Sequence, residues 1–285
     1  MAEIELGRAP VIPLIPCAGG AGRGGVARDL ATVGGEPLPS SAKPCFAGPS
    51  SAISPARGER GPAASEGVSG PVLQRLLAWL SPSFPVGAYS YSHGLEWAVE
   101  DGTVTDATTL SAWVGDILRH GAGRSDAVLF AHAYRAACDG DAAALRELIE
   151  LAAAFQPSKE RRLEATAQGQ AFLSTIAAAW PAAALAELLD DIPQDPPMTY
   201  ALAVAITAAA HAVPLAPALT AYLAAFVANL VSAGVRAIPI GQTDGQRIIA
   251  TTAPSVEAVA GAALSADLDA LGGAALRADV ASMKH

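Results

Sequence analysis

Apolar residues recur at helical spacing along most of the chain beyond residue 70. The spacing is clear in two stretches, at Leu73, Leu76, Leu77 and Leu80 and again across residues 110–118. Residues three and four apart lie on one face of a helix, so each stretch is predicted to form an amphipathic helix. No convincing series of alternating apolar and polar residues, which would indicate strands, interrupts this pattern.

Helix start and stop signals divide the rest of the chain. Ser125 is predicted to cap a helix that ends near Gly140, and Ser158 to cap one that runs toward Trp180. A serine hydroxyl accepts a hydrogen bond from the first turn of a helix, and glycine tolerates the left-handed backbone at its end.

Proline marks further boundaries. Shorter helices are predicted after Pro181 and after Asp244, with a break near Pro254, because proline lacks the amide hydrogen that a helix interior needs. Together the segments predict an all-α fold, a bundle of about eight to ten helices.

A long uncharged stretch raises the question of a membrane span. Residues 196–235 contain no Asp, Glu, Lys or Arg, but Pro214 and Pro217 divide them. The two halves, residues 199–213 and 218–233, are each shorter than the roughly 20 residues that a span requires, and alanine dominates both. Two closely packed core helices are therefore predicted, and no membrane association.

The first 70 residues differ from the rest in composition. Gly and Pro make up 22 of residues 1–70, but only 26 of the 215 residues in 71–285. Residues 1–70 are therefore predicted to be a disordered extension, and residues 71–285 an all-α domain. Glu3 and Glu5 stand where a secretory signal needs positive charge, which argues against a signal peptide.

Charge and cysteine content narrow the function classes. The net charge of −9 belongs entirely to residues 71–285, and the clustered Lys and Arg of a nucleic-acid-binding protein are lacking. Three cysteines far apart fit neither a disulfide framework nor a cysteine zinc site, which indicates a reducing cytoplasm. The five histidines show no paired spacing, so no bound metal is predicted.

Ser90, Ser92 and His93 stand together and raise the alternative of a serine hydrolase. A nucleophile elbow needs Gly-x-Ser-x-Gly on a strand-to-helix turn, and neighbouring side chains on one backbone point in different directions. The favoured interpretation is the entrance of a helix with hydroxyl caps.

Residues 81–96 read SPSFPVGAYSYSHGLE, a run suited to holding a fixed shape. Its prolines fix φ, its glycines permit positive φ or close approach, and its tyrosines combine apolar rings with polar tips. The run resembles the signature near the start of the urease accessory protein UreF family. The resemblance implies partner contacts at Pro85, Gly87, Tyr89, Ser90, Tyr91, Gly94 and Glu96. For one of the two tyrosines, packing in the core is the favoured interpretation.

Two later segments resemble the same family. Residues 160–169 are similar to its Glu-x-Arg…Gly helix, with Glu160 and Arg162 at matching positions and Ala165 where the family usually has Ser. Residues 236–247 match its Arg-x-x-Pro-Leu-Gly-Gln-x-x-Gly-Gln stretch nearly position for position. The resemblance implies contacts for Arg236, Gly241, Gln242 and Gln246.

The two glutamines of the third segment have a physical interpretation of their own. Gln242 and Gln246 lie four apart, so on a helix they share one face. Each amide carries donors and an acceptor, which suits either a buried helix junction or a surface that meets a partner protein. The spacing leaves both interpretations open.

Residues 279–285 resemble the family's late Ser-Met-Arg-His element, through Ser282, Met283, Lys284 and His285. In the family a short basic and aromatic tail commonly continues beyond this point and becomes ordered when UreD binds. A chain that lacks the tail is expected to bind UreD more weakly, because segment ordering contributes to such interfaces.

The resemblance implies a non-catalytic scaffold or chaperone of urease maturation in the cytoplasm. UreF proteins are commonly dimeric and join UreD, also called UreH, to the GTPase UreG in the complex that loads nickel into apo-urease. Residues 241–247 and 282–285 are expected to contact UreD, the dimer surface to receive UreG, and no cofactor to bind directly. The alternative is a GTPase-activating regulator of UreG, with Arg162 or Arg236 supplying transition-state charge.

Overall fold

A computed structural model describes residues 68–87, 93–192 and 195–284 of the chain. These residues form eleven α-helices, eight of them with ten residues or more, and contain no strand. The all-α prediction is therefore confirmed for the described part of the chain. Residues 1–67, which make up nearly all of the predicted extension, lie outside it.

The helices follow one another with short connections. The first six are α1 (Gly70–Trp79), α2 (Leu95–Glu100), α3 (Ala107–His120), α4 (Ala122–Asp139), α5 (Ala142–Ala154) and α6 (Lys159–Ala179). The remaining five are α7 (Ala183–Asp190), α8 (Tyr200–Ala210), α9 (Leu215–Ala237), α10 (Gln242–Ala263) and α11 (Leu276–Ser282). A 3₁₀ turn at Leu268–Ala270 lies between α10 and α11.

Helix ends follow the local signals at several positions. Ser158 caps α6 by accepting a hydrogen bond of 3.1 Å from the amide of Arg161. Gly140 ends α4 in the left-handed conformation, with φ of 67°. The prediction that Ser125 caps α4 is wrong, because the chain re-enters a helix directly after Gly121 and α4 begins three residues earlier.

The predicted break near Pro254 is wrong, because α10 runs through this residue. Pro254 itself is exposed. Packing on both sides outweighs the lost amide hydrogen bond, since the helix buries Ile248, Thr252, Val256 and Ala260. The short helix predicted after Pro181 is confirmed as α7.

The core of the bundle is built around α8. This helix lies against α4, α6 and α9, and residues 201–208 are all buried. A helix that is apolar on every side is stable when neighbours surround it, and small alanine side chains let those neighbours approach. Gly169 of α6 is one such approach, because a Cβ there would lie 2.1 Å from the carbonyl oxygen of Met198.

The uncharged stretch forms two helices, as predicted, with α8 and α9 on either side of Pro214. In the described part of the chain, α9 alone is long and apolar enough to cross a membrane. Half of its most apolar window is buried inside the protein, as in a core helix. Length and composition are therefore weak evidence for a span here.

Candidate partner-binding site

Two of the segments identified in the sequence meet at the C-terminal helix. Gly94 precedes α2 with φ of 74°, and a Cβ at this position would lie 2.7 Å from the backbone nitrogen of Ser282. Ser282 is buried at the end of α11. The start of α2 and the end of α11 are therefore in direct backbone contact, with no room for a side chain between them.

Ser282 also connects this contact to α6. Its hydroxyl donates to the carbonyl oxygen of Asp279 at 2.7 Å and lies 3.4 Å from the hydroxyl of Ser158. Ser158 is the N-cap of the helix that carries residues 160–169. Three segments that are far apart in the sequence thus meet at one end of α6.

The last described residue reaches back over α2. The ammonium of Lys284 lies 4.8 Å from the ring centroid of Trp97, a cation–π arrangement. Because Lys284 is exposed, this contact adds little stability.

His93 directly precedes Gly94 and contacts α9 and α6. Its backbone has φ of 53°, which is uncommon for a residue other than glycine and is retained where surrounding contacts hold it. The ring meets Phe226 of α9 edge-on, with 5.0 Å between centroids, and Nε2 lies 3.9 Å from Oε1 of Glu164. Burial, with Arg161 nearby, lowers the pKa of His93 well below its ordinary value.

The acid beside His93 belongs to a buried ion pair. Arg161 donates a hydrogen bond to Glu164 within α6, and Gln168 donates to the other carboxylate oxygen at 3.3 Å. Burial raises the pKa of Glu164, while Arg161 acts against that shift. Each charge depends on the other, because an unpaired buried charge costs several kcal/mol.

A second acid faces this pair from α4. Asp126 accepts a hydrogen bond of 2.9 Å from the hydroxyl of Tyr222 on α9. Burial raises the pKa of Asp126 to about 6, against the influence of Arg161. Burial, followed by the charge of Asp126, raises the pKa of Tyr222.

These side chains form what we call the buried polar cluster, made of His93, Asp126, Arg161, Glu164, Gln168 and Tyr222. They line a cavity of about 50 Å³, which has room for little more than water. Among the described residues, no group of three or more His, Cys, Asp or Glu is placed to hold a metal ion. The geometry suits a rigid support that ties α4, α6 and α9 to the start of α2.

The residues with implied contacts fall into three groups. Gly94 and Ser282 are buried against each other. Tyr89, Ser90, Tyr91 and His285 lie outside the described residues, so their predictions remain predictions. The others are exposed, namely Pro85, Gly87, Glu96, Glu160, Arg162, Arg236, Gly241, Gln242, Gln246, Met283 and Lys284.

The third sequence segment forms the turn from α9 to α10. Asp244 accepts a hydrogen bond of 3.3 Å from the amide of Gly241 and pairs with Arg247 at 2.6 Å. Gln242 and Gln246 point outward, so the buried-junction interpretation of the glutamines is wrong. Gly245 is instead the residue buried at the junction, because α9 packs so closely there that a Cβ would lie 2.8 Å from the side chain of Val235.

The buried polar cluster was not predicted. The resemblance selected Glu160 and Arg162, which the structure places on the exposed face of α6. A signal was nevertheless present, because Arg161, Glu164 and Gln168 continue the helical stripe of two buried apolar residues, Phe172 and Ile176. Polar residues on the apolar stripe of a helix indicate buried polar groups that need partners.

The chain is similar to one family over most of its length. The family model described as UreF matches residues 104–253. The urease accessory protein UreF of Rhodopseudomonas palustris (strain HaA2) is 52% identical over 225 residues, which cover 79% of this chain and 93% of that relative. The UreF of Xanthobacter autotrophicus is 50% identical over 232 residues, 80% of this chain and 93% of the relative. The UreF of Methylobacterium radiotolerans is 49% identical over 211 residues, which cover 74% of this chain and 91% of that relative. This chain therefore belongs to the UreF family of urease accessory proteins.

Proposed function

We propose that this chain is a non-catalytic scaffold of urease maturation, acting in the cytoplasm as a homodimer. It joins UreD to the GTPase UreG in the complex that delivers nickel to apo-urease, and the nickel is cargo that needs no resident metal site in this chain. The contact between Gly94 and Ser282 is the observation that carries the proposal. It holds residues 81–96 and 279–285, two of the family segments, in a fixed position relative to each other, as a recognition surface requires.

Within this function, residues 241–247 and 282–285 contact UreD, and the dimer surface receives UreG. The exposed amides of Gln242 and Gln246 support this assignment, because each can donate and accept hydrogen bonds across an interface. Met283 is 56% exposed, and a large apolar side chain at that position favours burial by a partner.

Size-exclusion chromatography with light scattering tests the scaffold. The full chain is run alone and with the UreD and UreG homologues of the same organism. We expect a dimer that co-elutes with UreD and then recruits UreG. A chain that associates with neither protein would contradict the proposal.

The glutamine contacts have a matched control. The double variant Gln242→Ala/Gln246→Ala is expected to lose UreD from the co-eluting peak while keeping the helical content and melting temperature of the parent chain. The control variant Gln74→Ala/Gln170→Ala removes two exposed glutamines from α1 and α6 and is expected to retain UreD. Equal recovery of UreD by both variants would remove residues 241–247 from the interface.

A second candidate function is activation of GTP hydrolysis by UreG. Arg162 supports it, because this residue is exposed on α6 whereas its neighbour Arg161 is buried in an ion pair. A finger arginine stabilises the charge of the transition state, so Arg162→Ala or Arg236→Ala is expected to slow GTP hydrolysis while complex formation persists. An unchanged rate of GTP hydrolysis in both variants would contradict this second function and leave the scaffold function in place.

The serine hydrolase is tested by labelling. Ser90 and Ser92 lie outside the described residues, and the ring of His93 is held between Phe226 and Glu164. A serine-reactive phosphonate followed by mass spectrometry is expected to leave both serines unmodified. A stoichiometric adduct on either one would contradict a non-catalytic role.

A further inference from the structure

Two small cavities lie between α11 and the rest of the bundle. The larger has a volume of about 50 Å³ and lies between α4 and α11, with Asp126 and Asp279 as the ionisable side chains among the described residues that line it. The smaller, of about 10 Å³, is lined by Asp279 together with His93 and Arg161. Asp279 borders both cavities and therefore links α11 to the buried polar cluster.

The charges around these cavities are unequal. Arg161 acts on the carboxyls of Asp126, Glu164 and Asp279, which come from α4, α6 and α11. It forms its ion pair with Glu164. Among the described residues, neither Asp126 nor Asp279 has a cation within ion-pairing distance. Two acids are therefore withdrawn from water without a cation of their own, which favours their protonated forms.

Neighbouring cations have other partners. Arg124 on α4 donates a hydrogen bond of 3.4 Å to the carbonyl oxygen of Gly272, and Lys284 lies over the ring of Trp97. His93 adds no charge at neutral pH, because burial lowers its pKa well below the ordinary value. Arg161 therefore faces three carboxyls with one positive charge.

The burial of the two acids depends on α11. Burial raises the pKa of Asp279 and raises the pKa of Asp126 to about 6, although Arg161 opposes both shifts. The hydrogen bond that Tyr222 donates to Asp126 also opposes the shift of that acid. Because α11 forms one wall of each cavity, its movement away from α4 would admit water to both carboxyls. The packed position of α11 therefore favours the protonated acids.

We propose that Asp126 and Asp279 make the packing of α11 depend on pH. The helix lies against α4 while both carboxyls hold their protons, and it opens toward solvent more often as the protons pass to water. Its seven residues and its exposed outer side chains suit such a local opening. The inference rests on the proposed function in one respect, namely that residues 282–285 at the end of α11 contact UreD, so that pH regulates this contact.

Hydrogen–deuterium exchange, measured by mass spectrometry on the full chain alone, tests the proposal. The opening equilibrium of residues 276–284 is compared between the parent chain and Asp126→Asn/Asp279→Asn at the same pH, after correction for intrinsic exchange rates. We expect the parent to open about tenfold more, relative to this variant, at pH 7.5 than at pH 4.5. His93 is present in both proteins, so its opposite dependence on pH cancels in the comparison.

Two further variants keep the test decisive. Asp279→Asn changes a half-buried residue and is expected to show part of the effect, even if the double variant does not fold. Asp190→Asn removes an exposed acid at the end of α7 and is expected to match the parent at every pH.

Exchange in residues 201–208 of α8 reports global unfolding, because these residues are buried in the core. A parent-to-variant ratio that is constant or falls as the pH rises would overturn the proposal. Equal protection of α11 and α8 would also overturn it, because α11 would then open only when the whole chain unfolds. UreD is absent from this experiment, so failure to co-elute with UreD would count against the scaffold function separately.

Discussion

Gly94 touches the backbone of Ser282, so closely that a Cβ at residue 94 would lie 2.7 Å from the nitrogen of Ser282. This contact joins two segments of the proposed recognition surface, yet neither residue needs to meet a partner for it to matter. It can be broken without removing any side chain that a partner would recognise, because Gly94 has none.

The first prediction follows from that contact. Gly94→Ala forces an alanine into φ of 74° and drives its methyl group into the backbone of α11. We expect the free energy of unfolding to fall by about 2 kcal/mol or more, because α11 can no longer pack against the start of α2. UreD binding is expected to weaken for the same reason. Urea denaturation and co-elution with UreD measure the two effects.

Gly140→Ala is the matched control for backbone strain. Gly140 has φ of 67°, but a Cβ there meets no atom within 4 Å. Its substitution is expected to cost only the left-handed backbone, about 1 kcal/mol, and to leave UreD binding unchanged. Equal destabilisation by the two substitutions would show that the contact with Ser282 contributes nothing.

A second prediction concerns the approach of α6 to the start of α8. A Cβ on Gly169 would lie 2.1 Å from the carbonyl oxygen of Met198, a backbone atom that cannot rotate aside. Gly169→Ala is expected to destabilise the fold by about 3 kcal/mol or more in thermal unfolding. Gly261→Ala on α10 meets open space and is expected to stabilise by about 0.5 kcal/mol, so a shared sign would contradict the argument.

The helices could be predicted because their signals are local. The apolar stripes of α1 and α3 and the cap at Ser158 depend on residues within a few positions of one another. The errors lie where distant packing decides. α10 continues through Pro254 because the residues that it buries on both sides pack against α3, α4 and α9, and a single sequence does not show where those helices lie.

The buried polar cluster shows the same division. Arg161 and Glu164 are three residues apart, so their pairing was available from helical spacing. Asp126 and Tyr222 are 96 positions apart and meet only because α4 and α9 pack together. A single sequence does not show which polar residues will share a cavity. The family segments, by contrast, could be recognised from the order of their residues alone.

A third prediction separates the two neighbouring arginines of α6. Arg161→Met leaves Glu164 as an unpaired buried acid and is expected to cost about 3 to 5 kcal/mol in urea denaturation. Arg162→Met changes an exposed side chain and is expected to cost less than about 0.5 kcal/mol. Equal effects would mean that the ion pair has no structural role.

The double variant Arg161→Met/Glu164→Leu makes the ion-pair argument stricter. Removing both charges abolishes the unpaired acid, so the double variant is expected to be more stable than Arg161→Met alone. A double variant less stable than that single variant would indicate that Glu164 stabilises the fold without Arg161, through its contacts with Gln168 and His93.

The last prediction concerns pH and the acid on α4. Burial raises the pKa of Asp126 to about 6, whereas an aspartate in the unfolded chain releases its proton near pH 4. Between these values the folded state holds the proton and the unfolded state does not, so Asp126 makes the free energy of unfolding fall as the pH rises. Asp126→Asn removes this contribution but keeps the size of the side chain.

The comparison of the two proteins isolates Asp126 from its neighbours. His93 has a lowered pKa and acts in the opposite direction, because the unfolded chain takes up its proton more readily as the pH falls. The stability of the parent chain relative to Asp126→Asn is therefore the informative quantity. We expect it to increase by about 2 kcal/mol when the pH is lowered from 7.5 to about 4.5. Urea denaturation of both proteins across this range measures it, and a difference that stays constant with pH would place the Asp126 carboxyl in a solvated environment.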